Sequence, residues 1–578
     1  MTGRITASLL ALLIYLCALT PLTAQEPPLL APTAPATDVT AVLARNGMVV
    51  AQEARAARIG VEILQNGGNA VDAAVATGFA LAVTYPRAGN IGGGGYMLIH
   101  LARENLDTAI DYRERAPAAV TRETFLGANG EADPAKSRDS ALAIGVPGTV
   151  AGLALAHAKY GSGKFTLADL LAPAIALARE GIPIEADVAD SLPRALPQLA
   201  RWPSTTKIFF HPDGRPLDRG DTFVQSDLAQ TLTAVARMGP RAFYEGPVAE
   251  KISAAVRTTG GLMTTQDLKE YAPVEREPLR GSYRGYAVVA MPPSSSGGVI
   301  LIEMLNILEG FPSLVSDEAR RLHLTIEAMK LAYADRAAFL GDPATVEAPL
   351  PRLLSKPYAD ELRAHIDPEH ARRATDIRAG GASPREGDNT THFSVIDRFG
   401  NAVANTTTLN FSYGVGLIAE GTGILLNNEL DDFAAKPGAP NAYGLTGGEA
   451  NAPAGGKRPL SSMTPTILLK DGRPFLITGS PGGSRIITTV LQVILNVIDR
   501  KLPIARAIGE PRVHDQWIPD EVMVERGFAP DLIGALARRG HHIVLGVPPT
   551  SANSILVTPE GYAGAADNRT SGALAAGY

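Results

Sequence analysis

Two short clusters of threonine in the second half of the chain, residues 390–391 and 406–408, carry hydroxyls that could act as nucleophiles. A threonine hydroxyl is a weak nucleophile until a base removes its proton, and the α-amine of a threonine at a chain terminus can be that base. Thr390 is internal, so its amine becomes free only if the Asn389–Thr390 bond breaks. Attack of the Thr390 hydroxyl on the preceding carbonyl, followed by hydrolysis of the resulting ester, would break it. The hypothesis is therefore that Thr390 cleaves its own chain and then serves as an N-terminal nucleophile.

A predicted β-hairpin brings the two clusters together. Residues 391–397 and 402–409 alternate as strands do, and the glycine-containing loop between them (RFGN) favours a hairpin. Folding about this loop places Thr391 opposite Thr408, with Thr390 beside that pair. Taken alone, the pattern has an ordinary structural interpretation, because β-branched threonines suit a pleated strand.

The remaining pattern predicts sheet layers covered by helices in both halves of the chain. The glycines of residues 90–95 (NIGGGG) precede a strand rather than a helix, so we interpret them as sites of close backbone packing and not as a phosphate loop. Polar residues 366–389 predict an exposed connector. Further helices are predicted over residues 52–65, 70–83, 145–183, 226–256, 316–339, 484–499 and 529–539, and further strands over 464–469, 474–478, 521–525 and 553–557.

Composition argues against several classes of partner. The 578-residue chain has a formal net charge of -6, and its sequence contains no basic run that would follow a phosphate backbone, so nucleic acid is not an expected partner. His541 and His542, beside two arginines, are interpreted as a solvated helix end. No HEXXH motif occurs, and His365 and His370 flank a proline-containing turn. We expect neither a metal nor a cofactor.

The N-terminus predicts export. Residues 1–24 combine an early arginine with an apolar run over residues 9–19, which is shorter than the roughly 20 residues of a membrane span. We therefore predict a signal peptide cleaved after Ala24; a retained membrane anchor is the alternative. The single cysteine, Cys17, lies in this segment, so the mature protein would contain no disulfide. The expected location is the periplasm or the cell exterior, with no stable membrane span after cleavage.

Six motifs in order along the chain resemble the γ-glutamyltranspeptidase (glutathione hydrolase) family of N-terminal nucleophile hydrolases. The resemblance implies an α+β fold, a four-layer αββα sandwich. It also implies a precursor that cleaves itself before Thr390 into a large subunit (25–389) and a small subunit (390–578), which remain together as a heterodimer forming one domain. The motifs are DYRERAP (111–117), TTHFSVID (390–397), TLNFSYGVG (408–416), GILLNNELDDFAAKPGAPNAYG (423–444), KRPLSSMTPTI (457–467) and TGSPGGSRIITTVLQ (478–492).

The resemblance implies four catalytic residues. Thr390 corresponds to the nucleophile that follows the cleaved bond, with Asn389 on the other side of that bond. Thr408 corresponds to the threonine that hydrogen-bonds and positions the nucleophile. Gly482 and Gly483 correspond to backbone donors that face the developing oxyanion, where such donors contribute strongly to acyl transfer. Without the resemblance, SPGGS would be interpreted as an ordinary turn.

The resemblance also implies a site for a zwitterionic amino acid. A planar guanidinium can donate two parallel hydrogen bonds to a carboxylate, and a carboxylate can receive an ammonium. Without the resemblance, Arg113 beside Asp111 and Glu114 could equally form a surface ion pair, and the acidic run could be a polar loop whose acids cap a helix. The implied residues are Arg113, Ser461 and Ser462 for the α-carboxylate, Asp432, Glu429 and Asn410 for the α-ammonium, and Tyr443 in a lid loop (437–444) that closes over the glutamyl group.

The implied reaction is acyl transfer through a γ-glutamyl ester on Thr390. The donor would be glutathione or a related γ-glutamyl compound, and the acceptor would be water, an amino acid or a peptide. A cephalosporin or glutaryl acylase on the same scaffold is an alternative, and it would not need Asp432 to bind an ammonium. A non-catalytic periplasmic binding protein is a second alternative, which predicts a single uncut chain.

Overall fold

Antiparallel β-strands form the centre of the fold in the computed structural model, which describes residues 39–311, 317–377, 389–436, 448–546 and 550–578. The residues of the predicted signal peptide and of the predicted lid, including Tyr443, lie outside these ranges. The strands are β1 (Ala41–Ala44), β2 (Gly47–Ala51), β3 (Gly94–Leu101), β4 (Leu106–Asp111), β5 (Ile182–Pro183), β6 (Thr222–Phe223), β7 (Val274–Arg276), β8 (Leu279–Tyr283), β9 (Tyr286–Ala290), β10 (Thr390–Asp397), β11 (Ala402–Thr408), β12 (Ile418–Ala419), β13 (Ile424–Leu425), β14 (Thr466–Lys470), β15 (Arg473–Thr478), β16 (Val513–His514), β17 (Val522–Val524), β18 (Ile543–Leu545), β19 (Asn553–Thr558), β20 (Gly561–Ala566) and β21 (Leu574–Gly577).

Two seven-stranded sheets, counted over the described ranges, dominate the structure. Sheet I has the order β1-β20-β19-β15-β14-β9-β8, and sheet II has the order β21-β2-β10-β11-β3-β4-β7. Strands β1–β9 precede Thr390 and β10–β21 begin at or follow it, so each sheet combines strands from both sides of that residue. In sheet II, β10 pairs with β2 on one side and with β11 on the other.

Helices cover the outer faces of both sheets. They are α1 (Ala54–Gln65), α2 (Ala70–Thr84), α3 (Pro134–Ser137), α4 (Thr149–Tyr160), α5 (Leu167–Glu180), α6 (Ala186–Leu199), α7 (Pro203–Phe209), α8 (Ser226–Met238), α9 (Arg241–Tyr244), α10 (Pro247–Thr258), α11 (Thr265–Lys269), α12 (Gly297–Glu309), α13 (Glu318–Phe339), α14 (Leu350–Leu353), α15 (Lys356–Arg363), α16 (Ala374–Ile377), α17 (Arg485–Ile498), α18 (Ile504–Gly509) and α19 (Pro530–Arg538). Most of the predicted helices and strands are confirmed to within a few residues at their ends.

Three buried apolar clusters show how the layers stack. Between the sheets, Tyr96 and Ile396 of sheet II pack with Val289 and Ile467 of sheet I. The other face of sheet II packs on helices that include α1, α2, α4, α5 and α8. The other face of sheet I packs on α12, α13 and α17. The layer order is therefore helix, sheet, sheet, helix, which confirms the predicted αββα sandwich.

Local signals in the sequence explain where α2 begins and why it is buried. The Asn69 side chain accepts the backbone N–H groups of Val71 and Asp72 and forms a capping box with the Asp72 carboxylate. The helix is apolar around its whole circumference, and every one of its residues is buried. Both predictions for this helix are confirmed.

The predicted register of the β10–β11 hairpin is wrong by one residue: Thr390 itself lies opposite Thr408. The loop is one residue shorter than predicted because Asp397 and Asn401 close it. The Asp397 N–H donates to the Asn401 carbonyl at 3.0 Å, and the Asp397 carboxylate accepts the Asn401 N–H at 3.0 Å. Gly400, with φ of 84°, is the last of the three loop residues, a position that requires the left-handed region.

No helix within the described ranges is both long and apolar enough to span a bilayer. Of the predicted connector, residues 378–388 lie outside those ranges. Its last residue, Asn389, is buried rather than exposed.

Candidate active site

The hydroxyl of Thr390 lies at the start of a short chain of hydrogen bonds that ends on the preceding peptide bond. Thr390 Oγ1 donates to Thr408 Oγ1 at 3.4 Å, and Thr408 Oγ1 donates to the Asn389 carbonyl oxygen at 3.2 Å. The Asn410 N–H donates to the same Thr408 oxygen at 2.8 Å. Thr408 therefore directs its proton at the carbonyl that Thr390 would attack, where it can stabilise negative charge. Asn389 is 3% exposed and Thr390 5%, so this peptide bond is shielded from bulk water.

The Asn90 side chain fixes the backbone of Thr408 through a hydrogen bond. Its side-chain amide donates to the Thr408 carbonyl at 2.8 Å, while its oxygen accepts the Gly93 N–H at 2.8 Å and the Thr149 hydroxyl at 2.9 Å. A Cβ atom at Gly93 would lie 2.1 Å from the Thr408 carbonyl oxygen. The prediction that the NIGGGG glycines allow close backbone packing is therefore confirmed.

His392 is the histidine nearest to the nucleophile in sequence, and it is not available as a base. Burial lowers the pKa of His392 to about 3. Its ring nitrogens lie 2.8 Å from Thr406 Oγ1 and 3.1 Å from Ser394 Oγ. The ring is neutral at physiological pH and holds the hairpin instead of contacting Thr390.

A small, partly open cavity lies beside Thr390. Its lining includes every predicted site residue within the described ranges except Gly482 and Asn389. Gly482 is the sequence neighbour of Gly483, and both have positive φ, 127° and 59°, in the turn before α17, where helix N–H groups lack partners within the helix. The lining residues are Arg113, Thr390, Thr408, Asn410, Glu429, Asp432, Ser461, Ser462, Met463, Gly483 and Ile486.

Arg113 forms the charged end of this cavity. It follows β4 and is fully buried, with Nε donating to the Pro459 carbonyl at 3.1 Å. Its two terminal nitrogens donate to Glu429 and Asp432. Burial lowers the pKa of Arg113, but the charges of Glu429 and Asp432 outweigh burial and leave that pKa well above its usual value. The guanidinium therefore stays charged.

The carboxylates around Arg113 outnumber it. Burial raises the pKa of Glu114 to about 7, and it raises the pKa values of Glu429 and Asp432, while the Arg113 charge opposes each shift. Asp432 Oδ1 is buried and has no hydrogen-bond partner among the described residues, whereas the Glu429 carboxylate shares a hydrogen bond with the Glu114 carboxyl group. The cluster is therefore short of both positive charge and donors, and a bound ammonium would supply both.

Ser461 and Ser462 enter the cavity from the segment before β14. The turn that precedes α12 fixes their backbone: the Ser461 N–H donates to the Ser294 carbonyl at 3.0 Å, and the Ser296 N–H donates to the Ser461 carbonyl at 2.7 Å. This pairing brings two hydroxyls to the wall that also contains Arg113. Hydroxyls beside a guanidinium form a site suited to a carboxylate.

The family model described as Gamma-glutamyltranspeptidase matches residues 56–577. The chain belongs to the γ-glutamyltranspeptidase family.

The known relatives of this chain include proteins named as glutathione hydrolases and proteins named as acylases. The "Glutathione hydrolase proenzyme" of Escherichia coli (strain K12) is 49% identical over 540 residues, covering 93% of each chain. The "Acylase ACY 1 proenzyme" of Pseudomonas sp. (strain SE83) is 38% identical over 527 residues, covering 89% of this chain and 90% of that protein. The crystal structure of cephalosporin acylase from Bacillus halodurans superposes with a TM-score of 0.82 at 30% identity, covering 97% of this chain and 99% of that one.

The γ-glutamyltranspeptidase motifs did not reveal every residue that supports the site. Asn90 was not singled out and Glu114 was considered only as a surface ion-pair partner of Arg113, although both lie within quoted stretches, NIGGGG and DYRERAP. Asn90 is recognisable only from its contacts with Thr408. Glu114 could have been suspected because it directly follows Arg113.

A second polar cluster corrects the interpretation of His541 as a solvated residue. His541 is 4% exposed and shares a 2.8 Å hydrogen bond with His323, and together with Glu327 they form a group whose possible ligand atoms lie within 4.8 Å of one another. The ammonium of Lys330 lies 3.7 Å from Glu327 and 3.1 Å from Asp520. This cluster therefore contains its own cation and a direct bond between its histidines, which does not fit a metal centre. Its helical i, i+4 spacing, His323 to Glu327, was the available sequence signal.

Proposed function

We propose that this protein is a self-cleaving precursor of a γ-glutamyl transferase and hydrolase that acts on glutathione and related γ-glutamyl compounds. The single observation that carries the proposal is the hydrogen-bond chain from Thr390 through Thr408 to the Asn389 carbonyl, at one end of a cavity whose other end contains Arg113. It joins a nucleophile, a polarised bond and a site for an α-amino acid.

Cleavage begins when Thr390 Oγ attacks the Asn389 carbonyl carbon. The C–N bond breaks, the hydroxyl proton passes to the departing nitrogen, and an ester links Asn389 to the threonine oxygen. Water hydrolyses the ester, leaving a carboxylate on Asn389 and a free amine on Thr390. Thr408 donates to the oxygen that becomes negative in the first step, and removing one such donor costs about 10²- to 10³-fold in rate in acyl-transfer enzymes.

The new α-amine is then the base for catalysis. Of the residues lining the cavity, only Arg113, Glu429 and Asp432 carry acidic or basic side chains, and they are paired with one another. The amine takes the Thr390 proton during attack on the substrate γ-carbonyl and returns it to the departing amine. The N–H groups of Gly482 and Gly483 face the oxyanion. Water or an amino acid then releases the glutamyl group from the ester.

Recognition uses the charged end. The substrate α-carboxylate binds Arg113 with Ser461 and Ser462, and its α-ammonium binds Asp432, assisted by Glu429 and Asn410. The unpartnered Asp432 oxygen supports the ammonium subsite. A zwitterion brings one charge of each sign, so it can exchange with the internal ion pairs without a change in net charge.

Processing of the chain and its export are part of the proposed function. Residues 1–24 are removed as a signal peptide, residues 25–389 and 390–578 remain associated as large and small subunits, and the enzyme acts in the periplasm or outside the cell. Tyr443 and its loop close over the bound glutamyl group. No metal or cofactor takes part in the proposed steps.

An acylase that removes glutaryl-type groups is the second candidate, favoured by the acylase relatives and the Bacillus halodurans structure. A glutaryl group has no α-ammonium, so it would leave the buried Asp432 oxygen without a donor. That cost favours the γ-glutamyl substrate.

Two measurements test the proposal. N-terminal sequencing of the smaller fragment of the purified protein should give Thr-Thr-His; a single uncut chain that binds ligand without turnover would favour a binding protein instead. Hydrolysis of γ-glutamyl and glutaryl anilides should then favour the γ-glutamyl compound. Preference for the glutaryl compound would establish the acylase.

A further inference from the structure

Arg336, on α13, is placed directly behind the paired serines of the cavity. It is 5% exposed. Its Nη2 donates to Ser462 Oγ at 3.0 Å, and its Nε donates to Ser296 Oγ at 2.8 Å. It does not line the cavity, so its effect on a ligand must pass through its neighbours.

Arg336 acts on the second serine through Ser296. The Ser296 hydroxyl donates to the Ser461 carbonyl at 2.7 Å, in addition to the bond that the Ser296 N–H makes to the same oxygen. One guanidinium thus fixes the side chain of Ser462 directly and the backbone of Ser461 through one intermediate hydroxyl. Its planar shape lets it hold both contacts at once.

The hydrogen bond from Arg336 determines where the hydroxyl proton of Ser462 points. A guanidinium can only donate, so the Ser462 oxygen accepts from Arg336, and the Ser462 proton must point away from it. Arg336 also brings positive charge to this wall. Burial raises the pKa of Asp432, and Arg336 is one of the charges, after Arg113, that oppose that rise.

We propose that Arg336 is a positioning residue for the substrate α-carboxylate: it holds Ser461 and Ser462 as carboxylate donors beside Arg113 without touching the substrate itself. The inference rests on the proposed function, because it assigns a role within the same amino-acid site. It predicts that the loss of Arg336 affects acyl groups that carry the carboxylate far more than acyl groups that lack it.

Three anilides separate this role from general structural support. The γ-glutamyl anilide has both the α-carboxylate and the α-ammonium, the glutaryl anilide has only the carboxylate, and the 4-aminobutyryl anilide has only the ammonium. In the cleaved protein, Arg336→Gln should raise KM for the γ-glutamyl anilide by about 10- to 100-fold, the range expected for a lost hydrogen bond to a charged group. Turnover of the glutaryl anilide should fall as well, while kcat/KM for the 4-aminobutyryl anilide should change far less, because only the charge of Arg336 near Asp432 is lost for that substrate.

Conservative and matched variants complete the test. Arg336→Lys keeps the charge but cannot contact both hydroxyls, so its KM should be intermediate. Arg320→Gln, at an exposed position on the same helix, should behave as wild type. The effects of Arg336→Gln and Ser462→Ala should add only in part, because both remove the contact between Arg336 and Ser462, whereas the route through Ser296 is lost only in Arg336→Gln.

The results distinguish this inference from the proposed function. A wild-type protein without γ-glutamyl turnover overturns the proposed function itself. An active wild type in which Arg336→Gln lowers turnover of all three anilides equally, or adds fully to Ser462→Ala, overturns only the role of Arg336. If Arg336→Gln fails to fold, Ser296→Ala removes the intermediate hydroxyl alone; a selective rise in KM for the carboxylate-bearing anilides supports the role, and an unchanged KM overturns it.

Discussion

At one end of the cavity, Thr390, Thr408 and Asn389 meet through hydroxyl and carbonyl groups, whereas at the other end Arg113 is enclosed by buried carboxylates. Among the described residues, the three that form the first end have no acidic or basic side chain, and His392, the histidine nearest to Thr390 in sequence, is neutral. The second end contains Arg113 with Glu114, Glu429 and Asp432. Both ends are already in place in the uncut chain.

This difference between the two ends indicates which function is assembled first. The charged end is complete before cleavage, because its ion pairs need only the folded chain. The neutral end lacks a base until Thr390 acquires a free amine. In the proposed mechanism, recognition is therefore built by folding, while catalysis is switched on by a covalent step, and substitutions at the two ends should have separable effects.

The largest expected effect is at the neutral end. Thr390→Ala should leave a single chain on a denaturing gel and lower γ-glutamyl turnover by more than about 10³-fold, because it removes the nucleophile of both reactions. Thr391→Val is the matched control. The Thr391 hydroxyl is buried without a hydrogen-bond partner among the described residues, so its loss should affect neither cleavage nor turnover. Cleavage of the Thr390→Ala chain would refute the proposed role of Thr390 as the nucleophile that cuts the chain.

A smaller loss is expected when the nucleophile remains and its partner is removed. Thr408→Val should slow appearance of the two fragments by about 10²- to 10³-fold, because the Asn389 carbonyl loses its donor. A time course of cleavage in freshly folded protein measures this rate. Thr408→Ser keeps the hydroxyl and should cleave much faster than the valine variant; equal rates for the two would contradict a role for that hydrogen bond.

Asp432→Asn tests whether a substitution at the charged end can weaken substrate binding without changing cleavage of the chain. It should raise KM for a γ-glutamyl anilide by about 10- to 100-fold, since it removes the charge that receives the ammonium. Cleavage should proceed at the wild-type rate, and glutaryl anilide turnover should not fall. An uncut Asp432→Asn chain would show that the two ends depend on each other.

The smallest effect is a change in how stability depends on pH. Because the pKa of Glu114 is raised to about 7 from its ordinary 4.5, the folded state binds its proton more tightly than the unfolded state does. That stabilising contribution is fully present below about 4.5 and is lost as pH rises through about 7. Thermal unfolding of Glu114→Gln should therefore show a smaller fall in Tm over this window than wild type.

The control for this measurement is Glu104→Gln, at an exposed position, which should follow wild type. Burial also raises the pKa values of Asp431 and Glu327 to about 7 and of Asp515 to about 8, so part of the fall should remain in the variant. If Tm falls with pH as steeply in Glu114→Gln as in wild type, the proton that the folded state binds in this window is held by another carboxyl group of the cluster.

Features set by neighbouring residues were predictable from the sequence. Helix α2 starts where Asn69 can cap it, and the faces of β10 follow from simple alternation. The hairpin register was missed by one residue because it depends on how Asp397 bonds across the loop, which alternation does not encode.

Features set by distant residues were not predictable from local pattern. Arg113 is 316 residues from Glu429 and 319 from Asp432, and only the family resemblance placed them in one site. The burial of His541 depends on His323, 218 residues earlier, and nothing in its local sequence indicated it. Arg336 lies in a helix whose apolar pattern predicts the helix but not the role of its polar residue.

The way the strands alternate between the two parts of the chain has a consequence for the lifetime of the cut protein. Once the Asn389–Thr390 bond is broken, separating the fragments requires β10 to leave β2, β11 to leave β3, β14 to leave β9 and β20 to leave β1. Every one of these steps opens a sheet, so the fragments cannot come apart as two folded bodies. Their persistence at high dilution is then governed by a rate of global unfolding and not by a dissociation constant, and fragments produced separately would have to fold together in order to pair.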